Sequence, residues 1–261
     1  MLFTGWRAIG ASVTGSSHTL AGLPCQDANR FAVLPNDVLI AAVADGAGSV
    51  RFAERGSSLA VATAVDYLRL HLTSLEALDE RACLRLLKEA ATAVRNRLES
   101  AATVERFSSP GREALSSEFA TTLLICFVTS VYTAAYQVGD GAIVELTSSG
   151  DILPLTMPDR GEHINETTFI TSSDYAARAS HIVKQSTSTD SVALLTDGIQ
   201  SIALTLSDNE PFAPFFNPLF RYAKSSEANS QELAAFLASE RVCERTDDDT
   251  TIVIAAKCQR S

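Results

Sequence analysis

Five acidic positions stand where they could do metal chemistry. Asp45 ends the apolar run in "VADGAGS", Asp140 sits in "VGDGAIV" and Asp197 in "LLTDGI". Asp247 to Asp249 stand just before "TTIVIA", and Asp27 lies in the loop sequence "CQDA". Taken singly, an aspartate before a glycine is an ordinary turn pair. Taken together, several carboxylates at strand ends would repel one another unless cations neutralised them. Mg²⁺ and Mn²⁺ prefer hard oxygen ligands and often keep waters in their shell. Small neighbours such as Gly46 let a backbone carbonyl approach an ion as well. Two such ions roughly 3.5 to 4 Å apart could bridge a water, lower its pKa and clamp a phosphoryl group. The chemistry this set predicts is metal-assisted phosphoester hydrolysis, provided the fold brings the carboxylates together.

The surrounding patterns name the elements that must do so. "WRAIGASVTG", "NRFAVL" and "VLIAAVAD" read as strands, with "SSHTLAGLPCQDA" as a loop between the first two. In "GSSLAVATAVDYLRLHL", Val61, Val65, Leu68 and Leu72 form one helical stripe. Ser57 or Ser58 is the expected cap. A second helix is predicted over Leu78 to Val104, with Cys83, Leu87, Ala90, Val94 and Leu98 inward. A polar connection follows from Ser108 to Ser117. Three strands are expected next: the run from Phe119, a segment holding Tyr132 and Tyr136, and "AIVELT" leading into a hairpin-like "TSSGD". Met157 to Ser188 is polar and weakly periodic, with a strand expected at "TTFIT". "SVALLTDGI" is a buried strand. "FAPFFNPLFRYA" reads as a short, packed helical segment interrupted by Pro214 and Pro218. "SQELAAFLASERV" reads as a helix capped by Ser230, and "TIVIAAKC" as a closing strand. Strands, two long helices, more strands, helices and a last strand predict an α+β sandwich, with residues 1–261 as one domain.

Composition excludes several alternatives. The 261 residues carry 31 acidic against 21 basic side chains, a formal charge of −10. Nucleic acid and anionic membranes reward basic patches instead. Five widely spaced cysteines form no CxxC pair, which argues against a zinc ribbon or disulfide scaffold and for a reducing cytoplasm. Cys83 and Cys126 lie in apolar patterns and read as core. The start "MLFTGWRAIGAS" makes a poor secretory signal, and no apolar run approaches the length of a membrane span.

The ordered set of motifs "CQDA", "VADGAGS", "FATTLLICFV", "YQVGDGAIVEL", "ALLTDGI" and "DDDTTIVIA" resembles the metal-dependent PPM, or PP2C-type, Ser/Thr protein phosphatases, in their bacterial subgroup. The resemblance covers most of the chain. It implies a four-layer α-β-β-α sandwich with two central antiparallel sheets and a metal cluster at one end. It further implies two ions of Mg²⁺ or Mn²⁺ and a third, weaker site. Asp45 corresponds to the aspartate bridging two metals and Gly46 to the carbonyl ligand beside it. Asp197 and Asp248 correspond to further metal ligands, with Asp249 at the usual Asn position and the register within Asp247–Asp249 open by one. Asp140 corresponds to the third metal site. Gln26 and Asp27 match the early acidic pair, in which Asp27 holds a metal-bound water.

The chain also departs from the family pattern. The eukaryotic phosphate-gripping Arg has no match, and Gly22 occupies its approximate place. Ala47 stands where a "DGH" general-acid histidine is usual. "SSHTLAGLPCQDA" instead resembles the bacterial form with a His ahead of "CQD", which makes His18 a candidate for contacting phosphate or protonating the leaving group. Arg51 and Arg55 follow the metal loop, either to attract a phosphoprotein or to form plain salt bridges. For Thr121 and Thr122, packing and hydrogen bonding are the expected roles. The reading is therefore a monomeric cytoplasmic hydrolase of phosphoserine and phosphothreonine in proteins, opposing a Ser/Thr kinase, with catalysis on Asp45, Asp197 and His18. A non-catalytic interaction module and a small-molecule phosphohydrolase are the competing readings.

Overall fold

A computed structural model describes residues 4–72, 78–108, 115–158, 167–205 and 208–259. In chain order the elements are β1 (Thr4–Val13), α1 (Ser16–Ala21), β2 (Asp27–Val33), β3 (Leu39–Asp45), α2 (Ala53–His71) and α3 (Glu80–Ser108). Then come β4 (Leu123–Val128), β5 (Tyr132–Val138), β6 (Ala142–Thr147), β7 (Ile152–Thr156), α4 (Tyr175–Arg178), β8 (Ser180–Gln185) and β9 (Thr189–Leu195). Four helices follow, α5 (Gln200–Ala203), α6 (Ala213–Lys224), α7 (Ser230–Leu237) and α8 (Glu240–Cys243), and β10 (Thr250–Gln259) ends the set.

Two five-stranded sheets face each other, ordered β1-β10-β9-β6-β7 and β2-β3-β4-β5-β8. Every strand pairing in them is antiparallel. Three apolar layers hold the sandwich together. Ile40, Ala42 and Ala44 of β3 face α2 and α3, while Leu39, Ala41 and Val43 face the opposite sheet. That double burial is why β3 reads as an unbroken apolar run rather than an alternating one. The helical stripes fall where periodicity puts them, since Val61, Val65, Leu68 and Leu72 of the α2 stripe and Cys83, Leu87, Ala90, Val94 and Leu98 of α3 are all buried. The third layer joins α6, α7 and α8 to the outer face of the other sheet. This is the four-layer sandwich expected from the motif set.

Local corrections concern ends and short elements. "SSHTLAG" is not loop but α1, closed by Gly22 in the left-handed region at φ 69°. Helix α2 starts at Ala53, so Ser57 caps nothing; it lies buried inside the first turns and donates to the Glu54 carbonyl at 3.0 Å. The cap of α7 is Asn229, which accepts from Glu232 N at 2.9 Å, rather than Ser230. Pro214 sits in the first turn of α6, where a missing N–H costs nothing, so the aromatic segment runs as a full 12-residue helix despite Pro218. "TTFIT" forms no strand; the strand of that region is β8, which adds to the edge of β5. The connection expected at Ser108–Ser117 lies largely outside the described residues, which omit 109–114.

Candidate active site

The acidic residues come from the end of the sandwich where the chain passes between sheets. Antiparallel register sets Asp27, the first residue of β2, directly opposite Asp45, the last of β3. Asp197 follows β9 of the other sheet and opens a 3₁₀ turn. Asp140 sits in the tight connection from β5 to β6, where the chain changes sheet. Carboxylate oxygens of Asp45, Asp140 and Asp197 lie within 4.8 Å of one another.

Fixed backbone contacts hold these groups. Thr122 Oγ1 accepts from Asp45 N at 2.9 Å, while Thr121 Oγ1 and Thr122 N both donate to Asp45 O at 2.8 Å. The two threonines thus have the hydrogen-bonding role expected of them. Gly46 N donates to Gln26 O at 3.1 Å. A Cβ on Gly46 would stand 2.4 Å from the Ala53 carbonyl, so only glycine fits where the loop passes under the start of α2. The turn before Asp140 needs Gly139 at φ +111°, a conformation L side chains avoid.

Burial and mutual repulsion dominate the electrostatics of the cluster. Burial, then the Asp27 and Asp197 charges, push the Asp45 carboxyl far above the usual range. Asp27 is raised by burial, although hydroxyls of Thr196 and Thr251 counter part of that. Asp197 is pushed up to about 7 by burial and the Asp140 and Asp248 charges. Carboxylates converge in this way at neutral pH only if protons or cations screen them. Asp140 Oδ1 is buried with no hydrogen-bond partner, while Oδ2 accepts from Thr167 Oγ1 at 2.6 Å. An all-oxygen donor set with an unpartnered buried oxygen fits a hard divalent cation.

The aspartates of the Asp247–Asp249 run have separate placements. Asp248 is exposed and acts on the cluster as a neighbouring charge on Asp45 and Asp197. It lies outside the group of three that converge. Asp249 is buried, and its charge bears on Asp27. Its Oδ1 accepts from Gly15 N at 2.7 Å and its Oδ2 from Gln26 N at 2.5 Å. His18 Nδ1 stands 2.9 Å from the same Oδ2. The other ring nitrogen faces the metal loop, since the Cβ position of Gly48 is 3.9 Å from His18 Nε2 and 3.8 Å from Gln26 Oε1. Asp249 is thus a residue whose role sequence reasoning missed: a buried anchor for His18 and for both ends of the α1 segment. The one signal available was a third aspartate immediately before an apolar strand.

The two arginines differ. Arg55 pairs with Glu105 at 2.5 Å and stacks over Phe52 and Phe119. Arg51 lies 4.6 Å over the Phe52 ring and is exposed, with no carboxylate partner among the described residues.

Two facing sheets with converging carboxylates at one end match the architecture expected of a metal-dependent phosphatase, and comparison with known proteins makes the assignment specific. The family model described as protein phosphatase 2C matches residues 14–238. Serine/threonine-protein phosphatase 3 from Escherichia coli is 36% identical over 263 residues, covering 96% of this chain and 98% of its own. In fold, a bacterial serine phosphatase structure matches with TM-score 0.62 at 16% identity, over 95% of this chain and 96% of that one. Serine/threonine phosphatase Stp1 from Staphylococcus aureus matches with TM-score 0.61 at 15% identity, over 95% and 94%. The chain belongs to the protein phosphatase 2C family. It is an enzyme of the metal-dependent Ser/Thr protein phosphatase type.

Proposed function

We propose that residues 1–261 act as one phosphatase domain that binds two Mg²⁺ or Mn²⁺ ions through Asp27, Asp45, Gly46, Asp197 and Asp248, with Asp140 serving a third, weaker site. The observation that carries this assignment is the convergence of Asp45, Asp140 and Asp197 beside an unpartnered buried oxygen. Bound ions supply Lewis acidity that lowers the pKa of water and neutralises phosphoryl oxygens. The chain's own groups do the positioning. Asp45 is held at its backbone by Thr121 and Thr122, and Asp27 accepts a 2.7 Å hydrogen bond from Thr196 Oγ1 that fixes its carboxylate plane.

His18 is the proton donor to the leaving serine or threonine oxygen. The Asp249 carboxylate lies 2.9 Å from Nδ1, and Nε2 is directed at the loop after Asp45. Ala47 occupies the usual position in the loop, and of the other described histidines His71 ends α2 and His181 lies on β8. The substrates in this reading are cytoplasmic phosphoproteins made by a Ser/Thr kinase, turned over by a monomer. No helix among the described residues is long and apolar enough to cross a membrane.

The direct test is release of phosphate from a phosphoserine peptide with Mn²⁺ or Mg²⁺, repeated with EDTA and with Asp197→Asn. EDTA should abolish turnover and the substitution should reduce it by at least about a hundredfold. Undiminished turnover in EDTA would refute the metal assignment. Faster turnover of nucleotides or sugar phosphates than of phosphopeptides would favour a small-molecule substrate.

A further inference from the structure

Helices α6, α7 and α8 do not close over one another where they cover their sheet. Between them and α5 runs an open groove of about 830 Å³. Its floor is aromatic: Phe215, Tyr222 and Phe236 are only partly buried, and Phe212 at the edge is 43% exposed. Concave apolar volumes of this size are typical of binding sites rather than of ordinary surface. Pro218 inside α6 has no N–H to give the Pro214 carbonyl one turn earlier, and both prolines line the groove.

Two exposed guanidiniums stand on the rim. Arg241 and Arg245 line the groove, both exposed, and neither has a carboxylate partner among the described residues. The carboxylate in the lining, Glu232, accepts instead from Tyr222 Oη at 3.3 Å. On a chain of net charge −10, two unpaired guanidiniums beside aromatic surface are complementary to an acidic, apolar partner.

The groove is linked to the carboxylate cluster through neighbouring residues. Gln200 donates its side-chain N–H to the Asp140 carbonyl, and the next residue, Ser201, lines the groove. Ser201 Oγ donates to the Arg245 carbonyl at 3.2 Å, three residues ahead of Asp248. Adjacent residues of one short segment thus touch the Asp140 loop and the groove.

We propose that this groove docks an apolar, acidic segment of the phosphoprotein substrate and so delivers the phosphoresidue to the cluster. The proposal rests on the phosphatase reading and adds a substrate-selecting surface to it. Apolar side chains seat on the aromatic floor and carboxylates meet Arg241 and Arg245. Exposed ion pairs contribute little by themselves, so the aromatic floor supplies most of the affinity and the arginines the selection.

The experiment uses a phosphoserine peptide as a core alone, or extended on either side by a short segment of leucine, phenylalanine and glutamate. KM for one extended form should be about tenfold below that of the core. Phe212→Ser, and the double charge reversal of Arg241→Glu with Arg245→Glu, should erase that advantage and leave turnover of p-nitrophenyl phosphate unchanged. Separately, the fluorescein-labelled segment without phosphate should bind the wild-type protein by anisotropy, about tenfold more weakly after the charge reversal or when lysine replaces its glutamates. This arm reads the groove whether or not any substrate is hydrolysed, so failed catalysis and failed docking are distinguishable. Absence of segment binding, binding with no KM advantage, or an advantage that survives both variants would each overturn the proposal. So would a concentration-dependent dimer that Phe212→Ser dissociates, which would make the groove a contact between copies.

Discussion

Removing the metal should leave a protein whose stability falls as pH rises, which is opposite to the behaviour of most carboxylates. Asp197 has an ordinary carboxyl pKa of 3.8 when unfolded and is pushed up to about 7 when folded, chiefly by burial and then by the charges of Asp140 and Asp248. Between those values the folded chain keeps a proton that the unfolded chain releases, so stability declines with increasing pH. Each pKa unit is worth about 1.4 kcal/mol, which makes the loss from Asp197 alone on the order of 4 kcal/mol by about pH 8. That is a large part of a typical total stability of about 5–15 kcal/mol. Asp27 and Asp45 are shifted in the same direction and deepen the loss. The assay is urea denaturation of EDTA-treated protein between about pH 5 and pH 8, with and without Mn²⁺. Stability of the stripped protein should drop across that window, and Mn²⁺ should restore it most at the alkaline end by binding the folded state. Asp197→Asn should make the stripped protein more stable than wild type at about pH 8 while removing much of the gain from Mn²⁺. A stripped protein equally stable across the window, or an Asp197→Asn variant destabilised at its alkaline end, would refute the account of the cluster as carboxylates crowded without a counter-charge.

Three further outcomes follow from individual contacts. His18→Ala should lower kcat on a phosphoserine peptide by about a hundredfold or more but change p-nitrophenyl phosphate turnover little, because the nitrophenolate leaves without a proton; equal losses on both would remove His18 as the proton donor. Asp249→Asn places an amide N–H against one of the donors Gly15 N and Gln26 N that the carboxylate now receives, and removes the charge 2.9 Å from His18 Nδ1. It should cost about 1–3 kcal/mol in urea denaturation and shift the pH profile of peptide turnover, and an unchanged profile would deny Asp249 its part in orienting His18. Gly46→Ala drives a methyl to 2.4 Å from the Ala53 carbonyl and should lower the melting temperature by several degrees as well as weaken Mn²⁺ binding in calorimetry; normal values of both would show that the loop can shift.

The legible and illegible parts of this chain divide along physical lines. Long elements announced themselves because burial imposes a period: the α2 and α3 stripes, and the unbroken apolar run of β3, which is covered on both faces. Short elements did not. Helix α1 buries no side chain at all, so it has no apolar stripe to detect, and its existence depends on Asp249 and Asp247 accepting from the Gly15 and Ser17 backbone. Strand β8 is an edge strand exposed or half-buried along its length, so its alternation is weak. In α6 the prolines suggested interruption, and the aromatic face packed on the sheet outweighed them.

For the site, aspartates at strand ends made metal chemistry worth testing, because hard cations demand oxygen ligands, and the order of the motifs, which resembles that of the phosphatase family, made it specific. Convergence was a different matter. Asp27 meets Asp45 through strand register, while Asp140 and Asp197 reach them only because the second sheet faces the first at that end. The partition of the Asp247–Asp249 run was decided in three dimensions alone, Asp248 beside the cluster and Asp249 beneath His18. Three consecutive identical residues carry no pattern that distinguishes them. Their roles depend on which way each side chain points as the chain enters β10, and that direction is set by the packing of the two sheets.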